Sequence, residues 1–256
     1  MPPADDSRFR GKRYRQMVAA FNVYRASQTI AESISPPRIH TSFRGVPFAC
    51  NAKVLAVGQK DVTFSIETLQ AKAVERTGTS VIMSPLHAMT FKVIATGVDS
   101  EQGRASFAQF LTQRRGGAEK RSNLRVEPEQ SIEVKMSCQG KEVIGNLIDV
   151  SVVSLAISLP DEDAQSFEEG APVKIHIAEL DPEFGAPIEA EGRIIRRMPL
   201  TDQDTRECGV VVYLRIDNKL FDRLERYVAI RRVAIIRELA GADTAEGDPE
   251  KRARSA

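Results

Sequence analysis

Hydrophobic and polar residues alternate along most of this chain, a pattern typical of β-strands that have one buried face. Between residues 39 and 111, short apolar runs are separated by glycine, aspartate, asparagine or serine. The runs cover residues 42–50, 53–57, 62–66, 80–83, 89–98 and 105–111. Short strands joined by tight turns predict a small antiparallel barrel or sandwich.

A second alternating segment begins near residue 132, after the paired glycines Gly116 and Gly117. Gln139-Gly140 is predicted to turn the chain, and positions 153–159 place aliphatic side chains on one face and mainly small or polar ones on the other. Further alternating runs cover residues 143–150, 173–177, 188–194 and 208–216. We therefore expect a mainly β fold of two small antiparallel barrels in tandem, joined at the glycines.

Two stretches change to the three- and four-residue spacing of an amphipathic helix. The first covers residues 14–34 and must end before Pro36. The second covers residues 220–239, is followed by Gly241 and is expected to pack across the second barrel. Ile230, Val233 and Ile236 lie off its apolar stripe, which leaves an oligomer contact open as an alternative. The predicted layout is a tail and helix at 1–35, a barrel at 36–112, an arginine-rich linker at 113–126, a barrel plus helix at 127–240 and a disordered tail at 241–256.

Composition narrows the class of protein. Thirty-six lysines and arginines balance 35 acidic residues, so an electrostatic partner must be met by a local patch. The three cysteines are far apart and form no CxxC pair, which argues against a disulfide framework or a zinc site. We find no signal-peptide pattern and no apolar run of about 20 residues, and expect a soluble cytoplasmic protein.

The common catalytic motifs are absent from the sequence. It contains no GxxxxGK[ST], GxSxG or HExxH, and His40, His87 and His176 lie in separate segments. We therefore expect a protein that is not an enzyme, with no metal and no cofactor.

The candidate chemistry lies in two short segments. Arg121 and Arg125 are four residues apart in a cationic run that also contains Arg114, Arg115 and Lys120. An arginine fork can bind a phosphate or the O6/N7 edge of guanine in bidentate fashion. Asp149 and Ser151 follow on one strand face; the carboxylate can accept from the N1–H and N2–H donors of guanine. A ligand with both guanine and phosphate would use all of these groups.

These segments resemble the signature of the PilZ domain, the bacterial receptor module for cyclic di-GMP. The family's RxxxR matches Arg121–Arg125, and its (D/N)xSxxG matches Asp149–Ser154, with Ser154 in place of the family glycine. The resemblance implies that cyclic di-GMP binds to Arg121, Arg125, Asp149, Ser151 and Ser154, with Arg114, Arg115 and Lys120 as possible additional contacts. If the Ser154 hydroxymethyl group crowds the ligand, Ser154→Gly should tighten binding.

A barrel that precedes the PilZ domain is similar to the arrangement of YcgR-type flagellar brake proteins. The resemblance implies that nucleotide binding at the arginine linker reorients the two barrels and so regulates a protein partner, such as the flagellar motor or the polysaccharide-synthesis machinery. The C-terminal helix is a possible homo-oligomer contact, and no membrane insertion is expected. An adaptor that binds proteins without nucleotide remains the main alternative, whereas the balanced charge argues against nucleic-acid binding.

Overall fold

The computed structural model describes residues 36–84, 89–113, 123–180, 186–200 and 207–241. The helix expected at 14–34 and the tail expected after Gly241 lie outside the described residues. The chain divides into two compact units, one of residues 1–43, 47–121 and 239–256 and the other of residues 44–46 and 122–238. Both units are built mainly from antiparallel strands, which confirms the predicted fold class.

The sheet of the first unit is a half-barrel of seven strands in the order β2-β1-β5-β6-β7-β4-β3. Its elements are β1 (Arg38–Phe43), β2 (Val46–Asn51), β3 (Lys53–Val57), β4 (Val62–Ser65), α1 (Thr68–Thr77), β5 (Thr79–Ser84), β6 (Met89–Asp99) and β7 (Arg104–Gln113). The core contains two aromatic pairs, Phe64 with Phe107 and Phe91 with Phe110, whose ring centroids are 6.0 and 6.1 Å apart. Helix α1 adds buried alanine and valine side chains to this core.

Two features of this half-barrel differ from the sequence prediction. The apolar run 42–50 is two strands, because Arg44 and Gly45 both have positive φ values, 49° and 82°, as in a type I′ hairpin turn. Helix α1 was not predicted either. It ends at Gly78, whose φ of 67° and bond from its backbone N–H to the Val74 carbonyl close the last helical turn.

The sheet of the second unit closes into a six-stranded barrel. Its strand order is β11-β14-β13-β12-β9-β10-β8, and an additional pairing of β10 with β11 closes the ring and leaves β8 as a short strand on β10. The elements are β8 (Arg125–Val126), β9 (Glu133–Cys138), β10 (Lys141–Ser151), β11 (Ser154–Pro160), α2 (Asp161–Ala164), β12 (Pro172–Ile177), β13 (Ile188–Pro199), β14 (Glu207–Arg215) and α3 (Asn218–Ala240). Alternate residues of each barrel strand fill the interior with aliphatic side chains, as the sequence pattern predicts.

The predicted C-terminal helix is confirmed as α3. The Asp217 carboxylate accepts a 2.7 Å hydrogen bond from the Leu220 backbone N–H and so caps the first turn. Buried positions recur every three or four residues along one face of the helix. Arg231, which interrupts the apolar stripe in the sequence, is itself on this buried face and is only 6% exposed.

Candidate functional site

A bulge in β10 determines which way the predicted site residues face. Val143 and Leu147 are buried in the barrel, and strict alternation would also bury Asp149. The register with β11 shifts between Leu147 and Asp149, so Val150 becomes the next buried residue. The extra residue therefore turns Asp149 and Ser151 to the outer face of the barrel.

Arg125 and Asp149 come together on that outer face. Strand β8 pairs with the end of β10, with Arg125 opposite Ser151. The Arg125 Nη1 atom lies 3.3 Å from Oδ1 and 3.5 Å from Oδ2 of Asp149. Both distances exceed the 2.7–2.9 Å of a tight charged hydrogen bond, and the two side chains are 15% and 18% exposed. The pair is therefore loosely joined and partly open to solvent.

Ser151 and Ser154 are buried inside the turn between β10 and β11. Ser151 Oγ accepts from the Ser154 backbone N–H at 3.0 Å, and the two hydroxyl oxygens are 2.8 Å apart. Ser151 is fully buried and Ser154 is 5% exposed. The φ angle of Ser154 is not positive, so its backbone does not require glycine. Both hydroxyls therefore hold the turn that positions Asp149 beside Arg125.

Four further residues belong to the predicted site. Arg121, Arg114, Arg115 and Lys120 lie outside the described residues. Of the predicted set, the structure thus brings together Arg125, Asp149, Ser151 and Ser154, the first two as accessible charges and the last two as turn residues.

The segment after Arg125 carries two residues that the sequence analysis did not single out. Arg231 of α3 donates from Nε to the Glu127 carbonyl at 2.9 Å, and its Nη1 lies 3.4 Å from Glu129 Oε2. Arg231 Nη2 is buried without a hydrogen-bond partner. The sequence signal for this contact between Arg231 and Glu127 is an arginine on the apolar face of a helix.

Glu127 lies in a cluster of charges next to the candidate site. Burial is the main cause that raises the pKa of its carboxyl group above the ordinary value of 4.5. The positive charge of Arg44 lowers this pKa, the negative charge of Asp149 raises it further, and the positive charge of Arg231 lowers it. Arg44 belongs to the hairpin turn that groups with this unit, and its carbonyl accepts from the Glu127 backbone N–H at 3.1 Å. The carboxylates of Glu127 and Asp149 are therefore electrostatically linked.

The arrangement is suited to binding an anionic ligand. Arg125 offers a planar cation and Asp149 an acceptor within one small area, and neither is paired with a nucleophile or a histidine base in the described residues. No cluster of three or more metal-ligating side chains occurs in the part of the chain that the structure describes. Likewise, no described helix is long and apolar enough to cross a membrane.

Comparison with known proteins gives a family match to the second unit. Residues 119–229 match the model of the PilZ domain. No curated protein matches the chain.

Several solved structures are similar to this chain at low sequence identity. The K. pneumonia MrkH–c-di-GMP complex has a TM-score of 0.44 and 10% identity, and the match covers 86% of this chain and 96% of that one. Escherichia coli YcgR in complex with c-di-GMP has a TM-score of 0.40 and 13% identity, with 87% and 94% covered. The Bacillus subtilis inhibitor of motility MotI has a TM-score of 0.40 and 13% identity, with 79% and 98% covered.

Proposed function

We propose that this chain, whose residues 119–229 are a PilZ domain, is a cytoplasmic receptor for cyclic di-GMP. The observation that carries the proposal is the loose pair of Arg125 and Asp149, which are the family's second arginine and its carboxylate, on one outer face of the barrel. The nucleotide is bound and released unchanged, so the protein is a receptor and not an enzyme.

The proposed site uses the two charges for different parts of the ligand. The Arg125 guanidinium binds a phosphate or the Hoogsteen edge of a guanine, and the Asp149 carboxylate accepts from the opposite edge of the base. The 3.3 Å separation of the pair favours this exchange, because a loose ion pair loses little when each partner turns to the ligand. Ser151 and Ser154 hold the turn, and Arg121 completes the arginine pair, with Arg114, Arg115 and Lys120 as additional cations.

The proposed output is a change in the relative orientation of the two units when the nucleotide binds to the arginine segment 113–126. The ligand shifts a population between conformations, since it binds one of them better than the other. The regulated partner is a protein of the motility or polysaccharide-synthesis machinery. An adaptor that acts without nucleotide is the alternative, and it predicts normal partner recovery from cells that lack cyclic di-GMP.

Isothermal titration calorimetry with the purified chain tests the proposed ligand. We expect binding at micromolar or lower nucleotide concentration, and a loss of affinity of about tenfold or more in Arg125→Ala, because a charged hydrogen bond contributes about 1.5–3 kcal/mol. Arg121→Ala combined with Arg125→Ala should abolish the heat signal.

The matched control is Arg232→Ala, which removes an exposed arginine of α3 and should leave the affinity unchanged. Absence of heat with the unmodified chain, or equal affinity of the double variant and the unmodified chain, would contradict the proposal.

A further inference from the structure

A row of side chains crosses the outer face of the second barrel and continues beyond the proposed site. Arg125 is opposite Ser151, and the Ser151 hydroxyl meets that of Ser154 across the turn. Ser154 is opposite Tyr213 of β14, and Tyr213 is opposite Arg193 of β13. Directly opposite residues of antiparallel strands project on the same side of a sheet, so these five side chains share one face.

The far end of this row is exposed to solvent. Tyr213 is 52% exposed, while its neighbours Val212 and Leu214 are buried in the barrel. Arg193 is also exposed, between the buried Gly192 and Ile194. With strands about 4.8 Å apart, Arg193 lies about 10 Å from Ser154 along the row. The row therefore has a charged end at Arg125, a buried middle at the two serines and an exposed aromatic end at Tyr213.

Tyr213 and Arg193 also line an open cleft of about 930 Å³. Lys174 and Arg215 add two further cations to its wall, and Ile195 adds an exposed apolar side chain. Glu191 supplies the one carboxylate among the residues that line the cleft, and it lies 3.8 Å from Arg215. The cleft is thus cationic around a half-exposed aromatic ring.

An aromatic ring flanked by arginine and lysine is the surface on which the base of an anionic nucleotide stacks. The flat face of a purine packs against the ring of tyrosine, and the nearby cations attract the phosphates. The row gives such a base a continuous path to Arg125 and Asp149, with the buried serines beneath it. A ligand with two bases can therefore place one at each end.

We propose that Tyr213 is a further ligand-binding residue, on which one guanine of the cyclic dinucleotide stacks, with Arg193 as the cation beside that base. This inference rests on the proposed function, because it assigns the second base of the same ligand. It adds strands β13 and β14 to a site that the sequence motifs place on β8, β10 and β11 alone.

Calorimetry of three variants with cyclic di-GMP tests the inference. We expect Tyr213→Ala to weaken binding by about tenfold to a hundredfold, the usual effect of removing an aromatic stacking partner. Tyr213→Phe keeps the ring and should stay within about threefold of the unmodified chain. Ile144→Ala removes an exposed apolar side chain of β10 that does not line the cleft and should have no effect. Since Tyr213 is half exposed, thermal melts of the variants should match that of the unmodified chain.

The outcomes separate the inference from the function on which it rests. If the unmodified chain binds the nucleotide and Tyr213→Ala binds it equally well, the stacking residue is wrong and the receptor function stands. Equal losses in Tyr213→Ala and Tyr213→Phe would show that the hydroxyl matters and not the ring, which also overturns the inference. If the unmodified chain gives no binding, the proposed function fails and this inference fails with it.

Discussion

At residue 154, a serine hydroxyl lies inside the β10–β11 turn, where it meets the hydroxyl of Ser151 at 2.8 Å. The side chain is 5% exposed, so it points into the turn and away from the solvent that a ligand would displace. The sequence analysis predicts tighter binding for Ser154→Gly if this hydroxymethyl group crowds the nucleotide. The geometry suggests instead that it supports the position of Asp149.

We therefore expect Ser154→Gly to lower stability and to leave cyclic di-GMP affinity within about twofold. The variant loses one hydrogen bond, worth about 1 kcal/mol, and gains backbone freedom in the unfolded state, worth about 0.5–1 kcal/mol. Urea unfolding and calorimetry measure the two effects. Ala156→Gly, on the same face of β11, introduces glycine into this strand without removing a hydroxyl and is the control. A clear gain in affinity for Ser154→Gly alone would restore the crowding interpretation.

Glu127 gives the second unit a stability that depends on pH. Its folded-state pKa lies above the ordinary value, mainly through burial, so between the two values the folded state binds more protons than the unfolded state. Stability therefore falls as pH rises through this window. The groups that face the carboxylate are Arg44, Asp149 and Arg231, and the two arginines offset the cost of the charge only in part.

We expect Glu127→Gln to be more stable than the unmodified chain at about pH 7.5, with the difference shrinking as the pH approaches about 4. Glutamine removes the buried charge but keeps the backbone carbonyl that Arg231 contacts. Urea midpoints at the two pH values measure the effect. Glu129→Gln, whose side chain is 75% exposed, should show no such gain. Lower stability of Glu127→Gln at the higher pH would contradict the assignment.

At the scale of the element, a buried arginine, Arg231, holds part of helix α3 against the second barrel. Arg231 is buried among the apolar residues of the helix, and its Nε atom donates to the carbonyl of Glu127, two residues after Arg125. Its pair with Glu129 contributes little, because Glu129 is largely exposed and the distance is 3.4 Å. The backbone contact is therefore the stabilising one, and it fixes the segment that follows the site arginine.

We expect Arg231→Ala to lower the free energy of unfolding by about 2 kcal/mol, since it leaves the Glu127 carbonyl without its charged donor. Arg231→Met should cost less, because it refills the space and removes the cost of burying an unpaired Nη2. Urea unfolding followed by circular dichroism measures both. Arg232→Ala, at the adjacent exposed position, is the control and should be neutral. Equal stability of Arg231→Ala and Arg232→Ala would show that the contact between Arg231 and the Glu127 carbonyl does not stabilise the fold.

At the scale of the whole molecule, each unit is organised around its own strands, and the sequence predicts this well. Strands with one buried face produce the alternation seen along the chain, and Gln139-Gly140 turns the chain as predicted, with φ values of 52° and 84°. Closure was harder to predict, because alternation does not specify which strands pair at the ends of a sheet. The second sheet closes through β10 and β11, whereas the first remains a half-barrel.

The remaining differences have local causes. Arg44-Gly45 forms a two-residue turn in which arginine takes the position where asparagine or aspartate is usual. The sequence pattern therefore does not predict this hairpin. Helix α1 is short, and its buried residues include alanine and glutamine, which give only a weak helical periodicity in the sequence. Gly78 at its C-terminal end was the one clear sequence signal for this helix. At the site, the motif identified Arg125 and Asp149, while the roles of Glu127 and Arg231 depend on contacts between residues about 100 positions apart.

The bulge in β10 makes the candidate site depend on the register between β10 and β11 rather than on any one side chain. Ile148 acts as a spacer between the core position Leu147 and the outward carboxylate of Asp149. Regular pairing of Ile148 with Ala156 would put Asp149 opposite Leu155, with its carboxylate toward the barrel interior. Deleting Ile148 would instead leave Asp149 directly after the inward Leu147, where plain alternation already faces it outward. Any engineered relative of this domain must therefore preserve the side of the strand on which this carboxylate lies, either with the bulge or with one residue fewer in β10.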